Sequence, residues 1–319
     1  MPALPRTLAA LTVLLAWPAT GANAFGGPDW QSSHFRDNPL AGTIWKRDGT
    51  QADKAELEKA VRDASFIAVG ETHNNIDHHR LQARIVALKA ASGAKPVIVW
   101  EMVPASLQPV LDTAKETGAA SLGTALDWEK RGWPVWAMYQ PVAEAALAAG
   151  LSMKAGDLDR ETIRAIGRQG AAALDATEAS RIGLDMELGK DAAASLATEL
   201  KDSHCGLLPE KSIPAMMTVQ QARDGAMAAA MLEAGDAGAI LIAGAGHVRE
   251  DRAAPAILER KAPSIDVLTI GLMELGTSTD IAGYLEDTRF DYIVLTPKAD
   301  MTDHCAEMKK SMEASKPKP

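Results

Sequence analysis

Two carboxylates and two imidazoles each stand directly after a short apolar run. Glu71 and His73 close the run 66–70 as Gly70-Glu71-Thr72-His73. Glu101 follows the run 96–100, and His247 follows 239–243 as Gly244-Ala245-Gly246-His247. Such a set can bind a divalent ion, because imidazole nitrogen and carboxylate oxygen are ordinary ligands. It can also do general acid/base work, since clustered carboxylates and imidazoles shift each other's pKa, or hold a ligand by hydrogen bonds. Taken singly, each has a plainer explanation: a glutamate after a strand sits well at a helix start, and a lone histidine is usually structural. Their shared position gives the set its meaning.

That position depends on the elements beneath. The runs 66–70, 96–100, 151–155, 239–243, 265–270 and 291–295 are short, apolar and rich in branched residues, the pattern of buried parallel strands. Helical spacing fills 53–64 and 76–91, the latter with Leu81, Ile85 and Leu88 on one face. Alternating strands and helices imply an α/β fold, a parallel sheet flanked by helices. Ligands of such sheets bind outside the carboxyl ends of the strands, where Glu71, His73, Glu101 and His247 converge. Asn74 and Asn75 can cap the following helix. In its first turn His78, on a face with Gln82, is assigned to the site; His79 has a solvent-facing position as an equal alternative.

From 159 to 235 no strand pattern occurs, and Ala, Met, Glu and Leu recur at helical spacing. One or two helices are expected over 174–200 and another over 216–234, interrupted between Gly206 and Pro214. The expected organisation is an α/β domain over 25–158 and 236–303, an inserted smaller all-helical subdomain over 159–235, and a loose tail over 304–319. Residues 1–24 read as a secretory signal peptide: Arg6, an apolar run from Leu8 to Trp17, and Ala22-Asn23-Ala24 as the cleavage site. That run is too short to span a bilayer, and no later stretch is apolar enough to do so. The mature chain is therefore expected outside the cytoplasm, in the periplasm.

The net charge of −9 and the lack of a basic run argue against nucleic acid as partner. Cys205 and Cys305 are the only cysteines, each preceded by histidine. In an oxidising compartment a disulfide is the favoured reading over a two-His, two-Cys metal site, whose usual spacing is absent. No phosphate loop, His-Glu-x-x-His or nucleophile elbow occurs, and Arg249 stands where a dinucleotide fingerprint needs its third glycine.

Four blocks, in order, resemble the ChaN-like haem-binding, iron-regulated family. They are Gly70-Glu71-Thr72-His73 with Asp77-His78-His79-Arg80-Leu81-Gln82; Trp133-Pro134-x-Trp136-x-x-Tyr139-x-Pro141; His204-Cys205-Gly206 with Gln220-Gln221-Ala222-Arg223-Asp224 and Met227; and Gly244-x-Gly246-His247-Val248-Arg249. One departure is Ala253-Ala254-Pro255, where the family pattern has Gly-Val-Pro. The resemblance implies haem held in a homodimer, stacked haems contacted by both subunits, a tyrosine on the iron, and a partner histidine near a propionate. Of Tyr139, Tyr284 and Tyr292, only Tyr139 lies in a family block, beside Trp133 and Trp136. It is assigned to the haem iron, which phenolate is able to ligate. His73, His78, His79 and Gln82 are assigned around the haem, with Trp133 and Trp136 as an apolar wall. Packing of Tyr139 and the tryptophans in an amphipathic helix is the plainer alternative. The wider superfamily, with erythromycin esterases and Tiki-type proteases, implies a second reading: a metal-dependent hydrolase using Glu71, His73, Glu101 and His247. A binding module for another ligand is a third.

Overall fold

Alternation along each apolar run decides which face of the sheet a side chain serves. In β3 (Phe66–Glu71), Ile67 and Val69 point into one core while Phe66 and Ala68 point into the other. The computed structural model describes residues 29–285 and 289–314, and the expected signal peptide lies outside the described residues. It shows eight strands in one sheet: β1 (Ile44–Lys46), β2 (Gln51–Ala52), β3, β4 (Val97–Pro104), β5 (Met153–Asp157), β6 (Ala239–Gly244), β7 (Val267–Glu274) and β8 (Tyr292–Thr296). Their spatial order is β2-β1-β8-β7-β3-β6-β4-β5. All pairings from β8 to β5 are parallel; β1 runs antiparallel to both β2 and β8.

The six strands expected from sequence are present, with shifted ends. Two shifts matter. β4 continues to Pro104, so Glu101 lies inside the strand rather than after it, and β7 runs on to Glu274. β1 and β2 were not expected. Three and two residues long at the sheet margin, they carry no apolar run to betray them.

Helices Lys54–Asp63, Ile76–Ala91 and Trp136–Ala148 cover one face, packing Leu57, Ile85, Val86 and Val142 against Ile67, Ile98, Ile240 and Ile270. Helices Ile213–Leu232 and Ala254–Lys261 cover the other with Met227, Met231, Ile257 and Leu258. Each such buried side chain contributes roughly 1.5–3 kcal/mol over an exposed one.

Between β5 and β6 the described chain holds helices only, among them Arg160–Gln169, Ala176–Arg181 and Lys190–Ser203. Leu158, Ile166, Ile182, Leu184, Ala222 and Ala226 form a small core of their own. Helix Ile213–Leu232 belongs to both cores. Its first half packs in the helical region, while Met227, Ala228 and Met231 pack on the sheet. The helical region is therefore joined to the sheet by a covering helix, and residues 213–232 are not confined to an insertion. The tail expected to be loose is partly a helix, His304–Ala314, tethered by a disulfide between Cys205 and Cys305. No helix among the described residues is long and apolar enough to cross a membrane.

Candidate functional site

β3 carries Glu71 to the carboxyl edge of the sheet, β6 pairs beside it and β4 lies beyond β6, so three successive strands deliver Glu71, the His247 turn and Glu101 along one edge. Glu71 is buried. Its Oε1 accepts the Tyr139 hydroxyl at 2.7 Å and lies 2.8 Å from His73 Nδ1; Oε2 makes an ion pair with His79 Nδ1 at 2.8 Å that lacks hydrogen-bond alignment. Burial alone would raise the Glu71 pKa, but the charge of His79 and the hydrogen bond from His73 hold it well below the usual range. His79 donates its second N–H to the His73 carbonyl. Burial opposes its charge too, and Glu71 outweighs burial and raises it.

Glu101 anchors the neighbouring half. Oε2 accepts Gly244 N–H at 2.7 Å, Oε1 accepts Arg223 Nη2 at 3.0 Å, and His247 Nε2 lies 3.3 Å away. Arg223 grips Asp157 through Nε and Nη2 at 2.9–3.1 Å, a fork geometry that suits a carboxylate. His247 Nδ1 lies 2.6 Å from Asp224 Oδ1. Arg223 Nη1 and the Gln220 amide also come within 3.1 Å of the ring nitrogens. The ring thus sits among donors as well as acceptors. Burial and Arg223 disfavour its charge, but the Glu101 and Asp224 carboxylates prevail and lift it to about 9.

His73 bridges the halves and is the accessible member. Its side chain is 36% exposed while Glu71 and Glu101 are closed off. Nε2 lies 3.8 Å from Glu101 Oε2, and the ring meets Trp133 edge-on at 5.0 Å. Gly244 makes room for it: a Cβ there would lie 2.9 Å from His73 Nε2. Burial opposes protonation, and the Glu71 hydrogen bond with the Glu101 charge raises the pKa. Two large apolar side chains are exposed among the described residues: Val135, 52%, two residues beyond Trp133, and Met301, 58%, next to the Asp300 that accepts from Asn74.

The structure separates the other expected residues by role. Asn75 caps helix Ile76–Ala91, and Asn74 instead donates to Asp300. His78 is away from the opening. Its Nδ1 accepts Thr72 N–H and its Nε2 faces Thr296 Oγ1; burial and the charge of His79 push its pKa down to about 3, so it stays neutral. His79 does not face solvent; it is wholly buried against the Tyr139 ring. Gln82 donates to the Val69 carbonyl and braces His79. Tyr139 is fully buried, its pKa driven up by burial and by Glu71. Trp136 donates to the Ala119 carbonyl and packs within a cluster of Trp100, Trp128 and Trp133. Tyr284 and Tyr292 lie elsewhere, the first on the Gly276–Ser278 turn and the second at the start of β8.

Sequence reasoning passed over Arg223, Asp224, Asp157 and Gln220. The signal for three of them was the Gln220–Asp224 block itself, on the helix facing His247. The divalent-metal alternative finds no support: among the described residues no group of three or more His, Cys, Asp or Glu is arranged to hold a metal ion. Surface cavities of about 700 and 1000 Å³ are lined by none of the site residues.

A family model described as haem-binding uptake, Tiki superfamily, ChaN matches residues 57–258. Among solved structures, the cofacial haem complex of ChaN from Campylobacter jejuni is similar over 79% of this chain and 95% of that one, at 19% identity and a TM-score of 0.62. The type III effector HopBA1 is 15% identical over 76% of this chain and 92% of its own, TM-score 0.46. The RRSP effector domain from Vibrio vulnificus is 14% identical over 78% and 40%, TM-score 0.40. No curated protein matches the chain. The first of these structures shares the fold; at such identity the likeness carries nothing finer.

Proposed function

The chain belongs to the ChaN family of haem-binding uptake proteins in the Tiki superfamily, and from that premise we propose that it binds haem at the carboxyl edge of β3, β4 and β6. The reading extends to an exported, periplasmic protein of haem and iron acquisition that is a homodimer when loaded. One observation carries the placement of the haem. The accessible group of the charged cluster is an imidazole, 36% exposed, with its Nε2 3.8 Å from Glu101 Oε2 and its ring set against a tryptophan edge; Val135 and Met301 are the exposed apolar side chains on the adjoining segments. A nitrogen donor with apolar neighbours suits a porphyrin. When bound, the haem would supply a ferric iron able to take an axial ligand.

Two side chains at this edge offer that ligand. His73 Nε2 meets an arriving haem first. Tyr139, the tyrosine the fold brings to this edge, stands behind it with its hydroxyl given to Glu71. Ligation by Tyr139 requires His73 to move aside and the phenol to lose its proton, against its raised pKa. His73 is therefore the ligand we favour; its location at the family's edge keeps Tyr139 as the second reading. The hydrolase reading is disfavoured by the family match.

Titration of the purified protein with haemin tests this. Four of the seven tryptophans sit in one cluster reaching His73, so saturable quenching of fluorescence should accompany the absorbance change, with a rise to dimer size. His73→Ala should alter the absorbance spectrum of the complex. An unchanged spectrum there, with a changed one in Tyr139→Phe, would transfer the iron to the tyrosine. Absence of saturable binding sinks the haem reading.

A further inference from the structure

We propose that the Cys205–Cys305 disulfide is a thiol-controlled latch that holds residues 297–305 as a strap against the loop that carries His73, at the margin of the candidate haem site; the haem-release part of this rests on the function proposed above. The strap begins at the end of β8 and crosses the loop that carries His73. Asn75 Nδ2 donates to the Pro297 carbonyl at 3.0 Å, Lys298 pairs with His34 in an antiparallel bridge, and Ala299 N–H donates to Glu274 Oε1 at 2.8 Å. Asn74, the residue after His73, donates to Asp300 Oδ2 at 2.6 Å. From there the chain turns at Thr302 and enters helix His304–Ala314 in exposed surroundings.

The other anchor stands on the opposite wall. Cys205 lies in the turn that ends helix Lys190–Ser203, where Cys205 N–H donates to the Asp202 carbonyl and Gly206 N–H to the Lys201 carbonyl. That helix leans on the loop holding His247. Glu199 pairs with Arg252, Ser195 accepts Arg249 Nη2 at 3.1 Å, and a Cβ on Gly246 would meet Glu199 Oε1 at 2.7 Å. One covalent bond therefore ties the His73 loop, through the strap, to the helix that braces the His247 loop. The bond joins residues 100 apart in sequence, and cutting it removes the covalent anchor of the segment that follows Asp300.

The switching step is thiol–disulfide exchange. A dithiol reductant gives two electrons and two protons, its own sulfurs join as a disulfide, and Cys205 and Cys305 become free thiols. With the covalent anchor gone, the strap is held at its far end by the Asn74–Asp300 contact, which opens locally at low cost. In the oxidised protein the strap is held against the His73 loop, and in the reduced protein it is free to swing away from that loop.

The test compares the full chain oxidised, reduced with dithiothreitol, and as the Cys205→Ser/Cys305→Ser double variant, by hydrogen exchange and by transfer of bound haemin to an excess of a competing haem-binding protein. Near-UV circular dichroism checks that each form is folded. Expected is exchange at 72–75 and 297–303 faster by about tenfold in both disulfide-free forms, with haemin transfer accelerated several-fold. Faster exchange confined to 304–314 overturns the latch, as does unchanged haemin transfer despite opening. If no form binds haemin, the haem reading fails, and exchange at 72–75 alone decides whether the strap is latched.

Discussion

The Glu71 half and the Glu101 half of the edge look alike on paper, each a buried glutamate with histidine, and they are built for opposite ends. Around Glu101 the hydrogen-bond partners are all internal. Arg223 is shared with Asp157, His247 with Asp224, and Gly244 N–H completes the shell. Around Glu71 the shell is closed on one side by His79 and Tyr139 but ends at His73, whose ring reaches solvent. The same two residue types make a locked strut in one place and an addressable group in the other. What differs is the kind of cation: the Arg223 guanidinium gives the Glu101 half a permanent charge, where the Glu71 half has imidazoles alone.

The strongest way to break this comparison is to remove the strut. Arg223→Leu strands Glu101 and Asp157 without their cation, and unfolding by denaturant should show a loss of about 3–5 kcal/mol. A loss under 1 kcal/mol would mean that the two halves are equally dispensable.

Alkaline titration should show nearly as much. Below pH about 6.5 the His247 ring is protonated in both folded and unfolded chains, and its stabilisation is complete. As pH rises through about 9, the folded protein keeps a proton that the unfolded chain has given up, so stability falls by on the order of 3 kcal/mol. His78 acts in the other direction. Its depressed pKa makes stability decline as pH drops below about 6.5 toward about 3. Asp224→Asn should shrink the alkaline loss in stability-against-pH curves, whereas His73→Ala should leave most of it.

Tyr139→Phe removes the hydroxyl bound to Glu71 but leaves the ring packed on His79 and Trp128. Thermal or denaturant unfolding should register about 1–2 kcal/mol. The smallest effect on stability belongs to His73→Ala, within about 1 kcal/mol because the side chain is partly exposed, while its effect on haemin affinity should be tenfold or more. A His73→Ala protein that is badly destabilised yet binds haemin normally would invert the comparison.

Much of this was legible beforehand because it is local. Runs such as 66–70 and 239–243 are too apolar and branched to be anything but buried strands, and strand ends of a parallel sheet share an edge. From that alone Glu71, Glu101, His73 and His247 were brought together, and the structure places them within 4 Å of one another in a chain of contacts. The pairing of the two cysteines was the favoured reading of the sequence, and the disulfide is present. The roles of His73, His78 and His79 were beyond local reasoning. All three lie within seven residues, but Thr296 from β8 buries one, Glu71 and Tyr139 enclose the second, and Gly244 from β6 leaves space for the third. Arg223 likewise meets Glu101 and Asp157 only because its helix covers both strands. Residue type and spacing determined which groups reach the edge. Packing against elements more than two hundred residues away decided which of them is buried, charged or exposed, because burial and charge depend on neighbours that sequence proximity does not supply.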